Sequence, residues 1–194
     1  MADINMFNKL PYFVYLQDNK YKINVDFRHM IQIEQIIKDR NKDNTEKICL
    51  SLENFYPFFY KKSKLILYTN PMLFKEAFEK LKWFYQCGRL EYHKQGSNGH
   101  KNANIDLLNF EYDDEYIYGA FLEKYHIDLT TEKLHWWKFK ALLKSLYKTK
   151  VNEIQSYRSY TGDDKDMKEL RNYWELPINK EEQERLDKLY DMLK

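Results

Sequence analysis

The segment from Asn70 to Gly88 constrains the fold more than any other part of this sequence. Asn70 followed by Pro71 is typical of a helix start, because an Asn side chain caps exposed amides and proline suits the first helical position. The apolar residues that follow fall within an arc of about 140° at helical spacing, and Gly88 indicates the helix end. The segment therefore predicts a long amphipathic helix that must pack against other elements. Trp83 falls on its polar side, where it is either covered by a second layer or exposed for a partner.

Capping residues and apolar spacing predict further helices along the chain. They begin at Asp26, at Asp43, at Asp113 or Asp114, at Thr130 or Thr131, near 151, near 166 and at Asn179. The helix after Thr130 or Thr131 is apolar on two sides, which predicts a central position. Residues 58–69 stay ambiguous, since LILYT suits a short strand or an extended link.

An N-terminal hairpin is predicted from strand-forming residues at 12–17 and 21–25, with Asp18, Asn19 and Lys20 as the turn. Gly and Pro total only nine residues of 194, which favours long regular elements. We therefore predict a mainly α fold: a single compact helical domain of six to eight helices with an N-terminal β-hairpin. Residues 1–160, including the hairpin (12–25), form the core domain, and 161–194 form a C-terminal helical extension, docked or mobile.

The charge balance and the cysteine count exclude several classes of protein. The 32 basic and 30 acidic side chains leave a net charge of +2, which argues against a nucleic-acid-binding face. Two cysteines cannot form a disulfide scaffold. The longest apolar stretch, at 55–60, is far shorter than the roughly 20 residues of a membrane span. The start MADINMFNKLPYF lacks the features of a secretory signal, so we expect a cytoplasmic protein.

The polar side chains offer few candidates for chemistry. Cys87, His93 and His100 are spaced unlike any common zinc pattern, and 93–104 reads as an exposed loop. His135 is more simply a core histidine bonded to backbone than a catalytic group, because no nucleophile motif accompanies it. Asp113, Asp114 and Glu115 suit helix capping better than metal binding or acid–base work.

No glycine-rich loop suits a phosphate, and the basic runs KKSK (61–64) and KTK (148–150) suit solvated surface better than single-stranded nucleic acid. We therefore expect no enzyme activity, no catalytic residue, no cofactor and no metal.

Aromatic residues make up 17% of the chain, and large aromatics mark protein-binding hot spots. Our candidates for protein binding are Trp83, Trp136, Trp137, Trp174 and Tyr190.

The stretch from Asp106 to Arg158 resembles a family of tailed-phage proteins called gene product fifteen. The likeness rests on Ile117, Ala120 and Phe121, on Tyr125 with Ile127–Asp128–Leu129, on Leu134 to Trp137 with Phe139, and on Tyr157–Arg158. Similar features in the front half are Leu10–Pro11, the hairpin, Asp26–Phe27–Arg28 and Trp83–Phe84 before Gly88. The resemblance covers roughly residues 10–160.

The resemblance implies a helical protein without catalytic residues, whose gene lies between those for the tail-tube and tape-measure proteins. That place implies a tail assembly chaperone, which coats the tape-measure protein, recruits tail-tube subunits and is absent from the mature virion. Its expected partners are the tape-measure and tail-tube proteins, with possible self-association, no nucleic acid and no membrane, in the host cell cytoplasm. The alternatives are a structural tail or connector component and a phage factor that binds a host protein.

Overall fold

The computed structural model describes residues 9–89 and 107–176 and confirms a mostly helical fold with an N-terminal two-stranded antiparallel hairpin. A short 3-10 helix, Pro57–Phe59, separates the second and third α-helices. Within the described ranges the elements are β1 (Phe13–Leu16), β2 (Asn19–Lys22), α1 (Phe27–Lys38), α2 (Asn44–Phe55), α3 (Ser63–Thr69), α4 (Pro71–Tyr85), α5 (Asp114–Tyr125), α6 (Trp136–Lys144), α7 (Lys150–Ser159) and α8 (Lys165–Trp174). The helix expected from Asn179 lies outside the described residues.

Three predicted helix starts are confirmed by their side-chain caps. Each cap oxygen accepts a hydrogen bond from an amide in the first turn, which otherwise has no partner within the helix. The caps of α1, α2 and α4 are Asp26, Asp43 and Asn70, which accept from the N–H of Arg28, Glu46 and Leu73 at 3.0, 2.9 and 3.1 Å.

The predicted end of α4 at Gly88 is also confirmed, as a Schellman motif. The Gly88 N–H donates to the Trp83 carbonyl at 2.9 Å, and the Cys87 N–H donates to the Phe84 carbonyl at 3.0 Å. The left-handed turn begins one residue earlier than expected, because Cys87 has φ 58° and Gly88 has φ 72°.

The hairpin turn differs from the predicted one. Leu16 pairs with Asn19, so Gln17 and Asp18 are the turn and Asn19 already belongs to β2. Both turn residues have positive φ, 46° and 63°, as the favoured two-residue hairpin turns require. The Gln17 N–H donates to Glu76 Oε2 at 3.0 Å. This contact with α4 stabilises a turn that the local sequence does not favour.

The ambiguous segment 58–69 is helical, as the 3-10 helix and α3, rather than a strand or an extended link. Ser63 and Ile66 face the interior at helical spacing. The Glu53 carboxylate of α2 accepts from the hydroxyl and, at 3.4 Å, from the N–H of Ser63, the first residue of α3. A carboxylate at that position stabilises the helix N-terminus.

The helix expected from Thr130 or Thr131 begins later, at Trp136. The Phe27 N–H donates to the Leu134 carbonyl at 3.0 Å, and the Trp136 N–H donates to the Val25 carbonyl at 2.7 Å. These bonds form a short antiparallel bridge between the starts of α1 and α6. Because Leu134 and His135 lie in this bridge, they do not form the helical turn that the local pattern predicts.

The chain packs as two compact units. The described part of the first unit is 9–89 with 127–145, and that of the second is 107–126 with 146–176. The first holds the hairpin, α1–α4 and α6, and the second holds α5, α7 and α8. The expected core domain of 1–160 and extension of 161–194 stay a prediction, and most of that extension, 177–194, lies outside the described residues.

Aromatic rings form much of the core of the first unit. Phe84 contacts Phe55 and Trp137, with ring centroids 5.1 and 5.9 Å apart, and Phe27 stacks on Phe139 at 4.6 Å. Such pairs stabilise a core beyond the area that they bury.

Candidate protein-binding surface

Trp136 and Trp137, two of the predicted protein-binding residues, lie in the interior of the first unit, with exposed fractions of 0% and 1%. The Trp136 indole N–H donates to the Tyr85 carbonyl at 3.0 Å, and that of Trp137 donates to the Phe84 carbonyl at 2.9 Å. Both carbonyls lie in the last turn of α4, where a carbonyl has no helical amide four residues ahead of it. The two tryptophans therefore fasten α6 to the end of α4. Their role in partner binding stays a prediction.

His135 precedes these tryptophans and caps α6. Its Nδ1 accepts from the Trp137 N–H at 3.1 Å, and its Nε2 lies 3.1 Å from the Pro11 carbonyl oxygen. Because Nδ1 accepts, the ring proton is assigned to Nε2, which donates to Pro11. Burial is the main cause that lowers the pKa of His135, and the bond to Pro11 opposes it. The expected backbone-bonded core histidine is confirmed.

Trp83 is half-buried, and its ring meets that of Trp137 edge-on, with centroids 5.5 Å apart. Its cover within the first unit thus comes partly from α6. Its predicted contact with a partner stays a prediction.

Trp174 is half-buried at the end of α8. Its ring contacts Tyr116 and Tyr173, with centroids 5.6 and 5.1 Å away, and the Lys150 ammonium lies 5.1 Å from its centroid. These contacts place Trp174 in the packing of the second unit, and its binding role stays a prediction. The last candidate, Tyr190, lies outside the described residues.

Asp113 does not cap α5 with its side chain, which corrects the capping interpretation of this residue. Its carboxylate instead accepts two bonds from the Arg158 guanidinium, at 2.6 and 2.9 Å, and both side chains are buried. Arg158 also donates to the carbonyls of Leu107 and Trp174, at 3.3 and 2.7 Å. These four bonds of the guanidinium hold the start of α5, α7 and the end of α8 together inside the second unit.

Of Cys87, His93 and His100, whose spacing does not predict a metal site, only Cys87 lies within the described ranges; the two histidines and the loop expected at 93–104 lie outside them. Burial raises the pKa of the Cys87 thiol, against the opposing charges of Lys140 and Arg89. A raised pKa lowers the fraction of reactive thiolate at neutral pH. Across 9–89 and 107–176, no group of three or more His, Cys, Asp or Glu side chains is placed to hold a metal.

No helix in these ranges is long and apolar enough to cross a membrane.

The structure exposes a set of large apolar side chains that sequence reasoning missed. They follow one another along the 3-10 helix, α3 and the first turn of α4, and we call them, with the lysines among them, the α3 surface. Its apolar members are Phe58, Tyr60, Leu65, Tyr68 and Met72, with exposed fractions of 46, 62, 62, 81 and 77%. Their neighbours Phe59, Ser63 and Ile66 are buried, so these turns have an inner and an outer side. Exposed apolar patches mark interaction sites, so we take the α3 surface as the candidate protein-binding surface.

Lys61, Lys62 and Lys64 add positive charge to the α3 surface. The ammonium of Lys61 lies 5.3 Å from the ring centroid of Tyr60, and that of Lys62 lies 5.8 Å from that of Phe58. Residues 54–75 contain four lysines and no Asp or Glu. The chain is nearly neutral as a whole, so this concentration of one sign is local.

One sequence signal pointed to this surface. The run 54–75 contains no acidic residue and includes KKSK, which the sequence predicts to be solvated surface. The aromatic residues next to KKSK are not predicted to be helical. Read as a helix, positions 63 and 66 take one side while 65 and 68 take the other. That distinction depends on knowing the helical state, which is set partly by contact with Glu53.

The model for the family described as Bacteriophage Gp15 protein matches residues 6–189 of this chain. No curated protein and no solved structure gives a significant match. The matched span includes the whole described fold, from the hairpin to α8, and extends beyond the stretch that the resemblance covered. A match over nearly the full length shows the family, and the chain therefore belongs to the Bacteriophage Gp15 protein family.

Proposed function

We propose that this phage protein is a tail assembly chaperone that binds the tape-measure protein and helps recruit tail-tube subunits. It acts in the host cell cytoplasm, by binding rather than by catalysis, and it leaves before the virion is complete. The single observation that carries the proposal is the α3 surface, a set of exposed apolar side chains on a family member whose buried tryptophans serve its own interior.

The physical demands of tail assembly agree with such a surface. A tape-measure protein is a long, largely helical chain that would aggregate before tube subunits enclose it. Its chaperone needs exposed apolar and aromatic groups, because these bind the apolar side of a helix. The arriving tube must displace the chaperone, so each contact should be near micromolar, or about −8 kcal/mol. Many copies along one tape-measure chain would then supply retention through avidity.

Co-expression with the tape-measure protein of the same phage tests the proposal. We expect the tape-measure protein to become more soluble and to co-purify with the chaperone. If the tape-measure protein neither becomes more soluble nor co-purifies with this protein, tape-measure binding is refuted.

Mass spectrometry of purified particles tests the second part of the proposal. We expect the protein to be absent from mature particles. Stoichiometric presence would favour a structural tail or connector component. Specific capture of one protein from uninfected host lysate, without tape-measure binding, would favour the host-directed alternative.

A further inference from the structure

We infer that the α3 surface binds an acidic amphipathic helix of the partner polypeptide. The inference deepens the proposed function and rests on it for the identity of the partner. Two properties of the surface define the chemistry of the helix that it binds: the spacing of its exposed apolar side chains and the sign of its charge.

The apolar spacing suits a helix as ligand. Leu65 and Tyr68 are three residues apart on the outer side of α3, opposite the buried Ser63 and Ile66, and Met72 follows on the first turn of α4. A partner helix that places apolar residues at positions i and i+3 or i+4 can cover Leu65 and Tyr68. The Tyr68 ring supplies a large contact area, and the flexible Met72 side chain can adapt to an irregular partner surface.

The charge of the surface selects an acidic helix. Within the described ranges, Lys61, Lys62 and Lys64 form no ion pair with a carboxylate, and the nearby Glu53 is hydrogen-bonded to Ser63. Carboxylates flanking the apolar stripe of a partner helix would meet these ammonium groups. Complementary charge speeds association and excludes helices of the wrong sign.

Two other occupants are disfavoured by the same side chains. A symmetric contact between two copies would set the three lysines of the α3 surface against their own equivalents, which is repulsive. Nucleic acid would need open ring faces for base stacking. Two of the rings, those of Tyr60 and Phe58, already have the ammonium groups of Lys61 and Lys62 against them.

The test uses overlapping peptides that tile the tape-measure and tail-tube proteins of the same phage, with fluorescence anisotropy as the readout for the full-length protein. One variant combines Leu65→Ser with Tyr68→Ser, and a second combines Lys61→Glu, Lys62→Glu and Lys64→Glu. The matched control combines Tyr147→Ser with Lys148→Glu, because Tyr147 is equally exposed and carries a lysine over its ring in the other unit. Circular dichroism checks that every variant is folded.

We expect the bound peptides to be acidic and amphipathic, and both α3 variants to weaken binding by at least about tenfold. The control should bind like the wild type, and added salt should weaken binding. If the tape-measure peptides bind but are basic, or bind both α3 variants unchanged, the inference fails while the proposed function stands.

If instead only acidic tail-tube peptides bind, and the α3 variants lose them, the surface assignment stands and tape-measure binding fails. Binding of no peptide overturns the inference. Preferential binding of a single-stranded DNA oligonucleotide overturns it too, as does a dimer that the α3 variants abolish.

Discussion

The buried pair of Arg158 and Asp113 gives the sharpest prediction for stability. Replacing Arg158 with Met keeps much of the side-chain volume but leaves the Asp113 carboxylate buried without its cation. The two side chains are 6% and 2% exposed, so water cannot readily replace the lost partner. Breaking a buried ion pair from one side costs about 3–5 kcal/mol. We expect Arg158→Met to lower the free energy of unfolding of the second unit by that amount.

A double-mutant cycle separates the ion pair from the other bonds that Arg158 makes. The carbonyls of Leu107 and Trp174 lose their Arg158 donors in any variant of this position, at about 1 kcal/mol each. Adding Asp113→Asn to Arg158→Met removes the stranded charge, so the double variant should be no less stable than Arg158→Met alone. The coupling energy should reach about 2 kcal/mol or more.

Urea denaturation of protein labelled with 5-fluorotryptophan measures these changes in each unit separately. Of the four tryptophans, Trp174 belongs to the second unit, while Trp83, Trp136 and Trp137 belong to the first. Its fluorine resonance therefore reports the affected unit. Lys165→Met is the matched control, because its ion pair with Glu169 is exposed and long, at 3.9 Å. If each single substitution lowers the free energy of unfolding by less than about 1 kcal/mol, and the two costs add in the double variant, the buried-pair argument is refuted.

Three further predictions concern the first unit, each measured by urea denaturation. Trp137→Phe removes a buried indole donor and part of the core volume, and should lower the free energy of unfolding by about 2–4 kcal/mol. The loss should be well above that of the control Trp83→Phe, which changes a half-buried tryptophan. Equal losses would contradict the role of Trp137 in joining α6 to α4. Burial lowers the pKa of His135 in the folded state, so the unfolded state binds the proton first as the pH falls below about 6.5. The free energy of unfolding should therefore decrease below that pH more in the wild type than in His135→Asn. Parallel pH profiles of the two proteins would rule this out. Asn70→Ala should cost about 1 kcal/mol by removing the cap of α4, whereas Asn70→Ser should keep most of it, and the same loss in both would discount the cap.

Local sequence determined the features of this protein whose interactions are themselves local. The caps at Asp26, Asp43 and Asn70 each bond an amide two or three residues ahead, and the end of α4 at Gly88 is set by bonds within the same turn. The mainly helical class follows from such caps together with apolar spacing, because neither needs a distant partner. The His–Trp–Trp block likewise indicated the family before any packing was known.

Tertiary structure alone decided the features that depend on distant residues. Asp113 turns from a cap into half of an ion pair because Arg158, 45 residues away, reaches it with two donors. The start of α6 moves to Trp136 because the bridge to Val25 and Phe27 takes the preceding residues. The outer side of α3, which carries the proposed function, exists only because the segment is helical and buries Ser63 and Ile66. Spacing along a chain encodes which residues share a helix side, but the elements that pack against that side determine whether it is covered or left open to a partner.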